Sequence, residues 1–393
     1  MRMITGQMKK SLEGGAFIRK MFEKGIELKK KYGQDAVCDF SLGNPDLPPP
    51  PVVAESLREL AGAADRPFAF GYMPNPGYPQ ARERLAAHLS REQGVSLAAS
   101  DVILTCGAAG GLNCFFKAVF EPGEELLCPS PYFVEYGAYV GNHGGVLKPV
   151  PAHADFSLDV EALAAAVTEK TRAVLINSPN NPTGRIYSRR ELTSLCAMLA
   201  EKSAGRERPI FLVADEPYRF LAYDGCEVPS VLPLYPYSLV VSSFSKNLSL
   251  AGERIGFVAL SPLMPEREEL MAGLTIANRT LGYVNAPAIG QAILEKALGA
   301  QVDVLVYEAR RARMADILTR AGYSFVMPQG AFYFFPKAPG GDDGAFVDRL
   351  AQERILGVPG TGFGLPGHFR LAFCVDEAVI IRSEEGFKRA IAG

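Results

Sequence analysis

Lys246 comes shortly after an apolar run, in Ser242-Ser243-Phe244-Ser245-Lys246, an unusual place for a lysine. The ordinary reading is a solvated loop residue, since lysine is mostly exposed. Its neighbours point to chemistry. An amine that attacks a carbonyl to form a Schiff base must be partly neutral, which burial and nearby cations promote. Arg254 stands at the head of the next apolar run. Ser243, Ser245 and Arg254 together offer hydroxyls and a guanidinium fork suited to holding a phosphate beside that amine.

A second anion site is suggested by Gly107-Ala108-Ala109-Gly110-Gly111, which precedes the apolar helical stretch LNCFFKAVF. Backbone N–H groups at a helix start bind anions, although a glycine-rich turn alone is weak evidence. The loop does not read Gly-x-Gly-x-x-Gly, and no Gly-x-x-x-x-Gly-Lys-Ser/Thr occurs, so nucleotide readings lose their usual support. Asp215 closes the apolar run 210–214 (IFLVA), where burial without a partner would favour its neutral form. A cationic ring nitrogen would be such a partner, and the ionised Asp would keep that ring an electron sink. The alternative is a plain helix N-cap ahead of Pro217. Tyr218 is placed to reach a ring hydroxyl or merely to pack.

These residues stand behind short apolar runs at 102–105, 125–128, 173–176, 210–214, 239–241 and 255–260. Such runs read as strands buried on both faces, hence a mainly parallel α/β sheet whose ligands lie beyond the carboxyl ends. The proline-rich stretch 41–51 marks a domain edge, and 67–79, which contains Tyr72, is a second irregular segment. After about residue 286 the pattern changes to a long helical region through 291–320, then short strands near 330–335 and 369–373. The expected division is 47–286 as a large domain, with 1–46 and 287–393 forming a smaller α+β domain.

Composition narrows the class. The chain has 393 residues, 48% hydrophobic and 21% charged, with a formal net charge of -2. That describes a globular protein without the positive field that nucleic acids require. Seven scattered cysteines without a Cys-x-x-Cys pair fit a reduced cytoplasm, and four histidines offer no paired metal-ligand spacing. No export signal or membrane-spanning run is expected.

Asn181-Pro182-Thr183-Gly184, Asp215-x-x-Tyr218, Ser243-x-Ser245-Lys246 and Arg254-Ile255-Gly256 resemble, in order and spacing, the class I/II aminotransferases. These are fold type I pyridoxal-phosphate enzymes, and the likeness covers nearly the whole chain. It implies a mainly parallel seven-stranded sheet flanked by helices, with the smaller domain built from both termini. It also implies pyridoxal 5'-phosphate held as an aldimine on Lys246, which then shuttles the substrate proton. By the same likeness Asp215 pairs with the pyridine nitrogen, Asn181 and Tyr218 bond the phenolic oxygen, and Phe133 stacks on the ring. The phosphate falls to Gly107, Ala108, Ala109, Ser243, Ser245 and Arg254, and to Tyr72 of the neighbouring subunit in a homodimer. Arg370 grips the substrate α-carboxylate, and Gly43 with Asn181 lines the same pocket.

The chain departs from the pattern in three places. Ala109-Gly110-Gly111 lacks the usual polar residue, Glu253 replaces a common tryptophan, and Thr280 stands where a dicarboxylate-binding arginine often lies, with Arg279 beside it. Phe17, Ile18, Tyr72, Phe133 and the Arg279 segment are expected to shape the substrate pocket. The expected activity is transfer of an amino group from an L-amino acid to a 2-oxo acid such as 2-oxoglutarate or pyruvate. A carbon-sulfur β-lyase of the same fold is the alternative, distinguished by release of pyruvate and ammonia without an acceptor. A cofactor-sensing regulator is a third reading, for which the short N-terminal extension leaves no DNA-reading domain.

Overall fold

The apolar runs form strands because water reaches neither of their faces. Ile103, Leu126, Leu175, Val213 and Val241 pack with Leu112, Phe115 and Phe116 of the helix Gly107–Val119. Their sequence neighbours Leu104, Leu127, Val174, Leu212 and Val240 belong to the opposite core, with Leu85 and Leu89 of Pro79–Gln93 and Leu195 and Leu199 of Arg189–Ser203. Alternate residues of a strand point to opposite faces, so both layers of helices are needed to cover the sheet.

The computed structural model describes residues 3–6, 8–9 and 16–392. In chain order its strands are β1 (Cys38–Asp39), β2 (Val102–Cys106), β3 (Glu125–Ser130), β4 (Val146–Pro151), β5 (Thr171–Asn177) and β6 (Phe211–Asp215). There follow β7 (Ser238–Ser243), β8 (Ile255–Leu260), β9 (Tyr333–Phe334), β10 (Ile355–Leu356), β11 (Val358–Pro359) and β12 (Phe369–Ala372). Seven of them form one sheet in the order β2-β8-β7-β6-β5-β3-β4, in which only β8 runs antiparallel to its neighbours. The mainly parallel seven-stranded expectation holds. Within this sheet, the strand that no apolar run announced is β4: it lies at the sheet edge, is largely exposed, and carries two prolines, which edges tolerate.

A second core gathers Tyr307, Met314, Phe332, Phe334, Leu350, Phe369, Leu371 and Phe387 around the small sheet β11-β12-β9. The strand β1 joins this region by pairing with β10, which ties the amino-terminal segment to the carboxyl-terminal one. The long helical region is two helices, Ala288–Ala297 and Val304–Ala321. Gly299 with a φ of 91° breaks it, and the Asp303 side chain accepts from Leu305 N to start the second helix. The first of the two packs on Pro51–Ala61 and Pro79–Gln93 in the core of the large sheet. No helix among the described residues is long and apolar enough to cross a membrane.

Placing β8 between β2 and β7 brings Gly256 opposite Thr105 and Ser243. A Cβ there would stand 2.5 Å from the Gly107 carbonyl carbon and 2.6 Å from the Ser242 oxygen. Both are backbone atoms that hold the two turns at the head of the sheet. Gly256→Ala is therefore expected to cost at least about 1–3 kcal/mol, as overpacking does, seen as a lower urea midpoint at unchanged slope.

Candidate active site

Turns behind the ends of β2, β3, β5, β6 and β7 line a cavity of about 390 Å³. The turn after β7 carries Lys246, whose Nζ donates to the Gly43 carbonyl at 2.6 Å. Burial lowers the amine's pKa from a lysine's ordinary value to about 8; Cys374 opposes this, while Arg370 and Arg254 reinforce it. The lysine ammonium has no carboxylate partner among the described residues, so its neutral form is accessible near physiological pH.

At the end of β6, Asp215 is buried, and its Oδ2 accepts from the Tyr136 hydroxyl at 2.5 Å. Its Oδ1 is buried without a partner. Desolvation pushes this carboxyl up to about 7, against the Tyr136 hydrogen bond and with some help from Glu216. An unpaired buried carboxylate oxygen facing a cavity is a demand for a donor. Asn177, at the end of β5, steadies this corner: its Nδ2 donates to the Asp215 carbonyl at 2.8 Å and its Oδ1 accepts from Asn181 N at 2.6 Å.

Another wall of the cavity could hold an anion. Ala108 and Ala109 line it at the start of Gly107–Val119, a helix whose N-cap makes no side-chain hydrogen bond, so first-turn N–H groups are left to a ligand. Ser243, Ser245 and Arg254 complete that wall. Arg254 adopts a left-handed backbone (φ 51°) and makes one hydrogen bond, from Nη1 to the Ala251 carbonyl at 3.0 Å. Gly107, also left-handed at φ 70°, lies under this guanidinium, where a Cβ would stand 2.8 Å from Nη2.

Arg370 enters from β12. Its guanidinium carbon lies 4.7 Å from the ring centroids of both Tyr333 and Phe363. Nη1 donates to Asn181 Oδ1 at 3.0 Å and Nη2 to the Ser41 carbonyl at 2.7 Å, while Nε is buried without a partner. Phe363 belongs to the irregular 360–367 approach, held by Asp343, which accepts from Thr361 N at 2.7 Å and from Gly367 N at 3.3 Å. Tyr218 also reaches the cavity, its hydroxyl 2.7 Å from that of Tyr333.

The sequence of the family described as "Aminotransferase class I and II" matches residues 35–382. The chain belongs to that family. Among its aminotransferase relatives, a probable aspartate/prephenate aminotransferase of Aquifex aeolicus is 32% identical over 387 residues, covering 94% of each chain. The aspartate/prephenate aminotransferase of Thermus thermophilus is 31% identical at the same coverage. An amino transferase structure from Eubacterium rectale superposes with a TM-score of 0.94 at 38% identity, covering 100% of this chain and 99% of the other. Amino-group transfer is thus the chemistry of this chain.

The structure brings together most of the residues that the sequence singles out. Gly43, Ala108, Ala109, Phe133, Asn181, Asp215, Tyr218, Ser243, Ser245, Lys246, Arg254 and Arg370 converge on the cavity. Gly107 lies just behind the lining, and Tyr72 stands apart, 94% exposed, in a separate depression with Phe70, Met73 and Tyr283. Arg279 is exposed and does not line the cavity. The side chains of Phe17 and Ile18 lie outside the described residues. Tyr136 and Tyr333 were not anticipated. Each bonds a site residue 79 or 115 positions away, a pairing that only the fold creates.

Asp215 holds its proton more tightly folded than unfolded. The stability it contributes is full below the ordinary carboxyl value of 3.8 and is lost as pH rises through about 7. In ligand-free protein, urea unfolding across that window is expected to show wild type losing stability relative to Asp215→Asn by roughly a few kcal/mol, at about 1.4 kcal/mol per pH unit. Parallel pH profiles for the two proteins would contradict the placement of Asp215.

Proposed function

We propose that this aminotransferase binds pyridoxal 5'-phosphate through Lys246 and moves the amino group of an L-amino acid to a 2-oxo acid. The observation that carries the reading is a pair lining the cavity: a partly buried lysine amine without a carboxylate partner among the described residues, and Asp215 Oδ1 buried and unpaired. The donor set fits the cofactor group by group. Asp215 Oδ1 would accept from a protonated ring nitrogen, and the N–H groups at Ala108 and Ala109, the hydroxyls of Ser243 and Ser245, and Arg254 would hold a phosphate. Phe133 supplies a ring face, and Asn181, whose oxygen is engaged by Arg370, is left with its amide N–H groups for a ring oxygen.

When bound, the cofactor supplies an electron-poor ring that stabilises negative charge at the substrate α-carbon. The chain's own groups do the rest. Arg370 offers the α-carboxylate a fork already fixed between two aromatic rings, so little side-chain order is lost on binding. Lys246, released from the Gly43 carbonyl, is the one amine in the cavity able to take the α-proton and return it elsewhere, since its pKa lies close to working pH. Asp215, ionised by a cationic partner, keeps the proton on the ring nitrogen.

The exposed Phe68, Phe70 and Tyr72 support a homodimer in which each subunit's Tyr72 serves the other's phosphate. The seven free cysteines support a cytoplasmic setting. On this reading the expected large domain, 47–286, would hold the cofactor, and the segments 1–46 and 287–393 would bring Gly43, Tyr333 and Arg370, with the helix Ala288–Ala297 packed on the large-sheet core. The names of the relatives make aspartate the first donor to try, with 2-oxoglutarate or pyruvate as acceptor.

Spectra of the purified protein test this reading. A visible band should move to the near ultraviolet when a competent amino acid is added alone and return with a 2-oxo acid. Formation of pyruvate and ammonia with no acceptor would replace transamination by β-elimination. Arg370→Lys, which keeps charge and loses the fork, should lower kcat/KM by roughly 10- to 100-fold, the value of one charge-assisted hydrogen bond.

A further inference from the structure

Tyr333 touches three parts of the site at once. Its hydroxyl is 2.7 Å from that of Tyr218, and its ring faces the Arg370 guanidinium at 4.7 Å. It also packs so closely on Gly43, whose carbonyl receives Lys246, that a Cβ on Gly43 would collide with the Tyr333 hydroxyl. Both tyrosines are buried, and burial holds both phenols protonated, well above ordinary for Tyr218 and at about 12 for Tyr333.

Two hydroxyls share one hydrogen bond here, and each carries a single proton. In the free chain either oxygen can be the donor. The surroundings decide which arrangement serves a ligand. The Tyr218 oxygen is the only hydrogen-bond partner of the Tyr333 hydroxyl among the described residues, and the guanidinium over the Tyr333 ring cannot accept. If Tyr218 spent its proton on Tyr333, the Tyr333 proton would lack an acceptor and a ring oxygen in the cavity would lack a donor.

We propose that Tyr333 is a positioning residue for the Tyr218 proton: it donates to the Tyr218 oxygen, which leaves the Tyr218 O–H aimed at the ring oxygen of the bound cofactor. This rests on the pyridoxal phosphate reading above. A chain of two hydroxyls ending on an anionic oxygen also strengthens the second bond, because each hydrogen bond polarises the next. Without Tyr333, the Tyr218 hydroxyl has no acceptor role to fulfil and rotates freely, weakening its hold on the ring oxygen.

Cofactor attached through Lys246 would give a visible band that titrates with the proton on the Lys246 nitrogen. A donor on the neighbouring ring oxygen would stabilise negative charge there and weaken the hold on that proton, so removing the donor raises the titration midpoint. Pyridoxal phosphate is therefore loaded onto wild type, Tyr333→Phe, Tyr218→Phe and the double variant, and each is titrated by absorbance. The expected result is a midpoint raised by about half to one unit in Tyr333→Phe and further in Tyr218→Phe. The double variant should match Tyr218→Phe, because Tyr333 acts only through Tyr218. A Tyr333→Phe midpoint equal to wild type, or a double variant equal to the sum of the single shifts, overturns the proposal and leaves the cofactor reading standing. A wild-type protein with no visible band overturns the cofactor reading itself, and this proposal with it.

Discussion

The Lys246 amine sits in a desolvated pocket with a single acceptor, the Gly43 carbonyl, and two arginines close enough to disfavour its charge. That arrangement constrains the molecule. Lys246 is delivered by the large sheet, Gly43 by the segment leading out of β1, and Arg370 by β12 of the small sheet. Only when both cores are packed together do acceptor, amine and cation meet. The β1–β10 pairing and the Arg370 bond to the Ser41 carbonyl fasten the Gly43 segment in place.

Such a cavity runs against stability. Asp215 Oδ1 and Arg370 Nε are buried unpaired, each at a cost of about 1–3 kcal/mol, and a carboxyl is held above its normal range. The surrounding sheet, buried on both faces by Leu, Ile, Val and Phe, offsets this. Local rules fail here in the way expected of a functional site: the same unpaired groups that weaken the empty chain are those a ligand with a cationic ring and an α-carboxylate would satisfy.

Much of this was legible in the sequence, for physical reasons. Buried strands leave continuous apolar runs, and in a parallel sheet the residues after those runs share one edge, so Ala108, Asp215, Ser243 and Lys246 are legible together from the sequence. β4 was missed because an exposed edge strand leaves no apolar run. The helical region from 291 looked continuous because periodicity persists across Gly299. Tyr136 and Tyr333 carry no local signal, being defined by contacts through space. Tyr72 is exposed and does not line the cavity of its own chain, so the proposed phosphate contact would need a second subunit.

Lys246 is the proposed point of cofactor attachment. Borohydride reduction of pyridoxal phosphate-treated protein, followed by digestion and peptide mass measurement, tests it most directly. The account predicts a single pyridoxyl-modified peptide, with the added mass on Lys246 and none in Lys246→Ala. Modification at another lysine in place of Lys246, or an undiminished label in the variant, would contradict it.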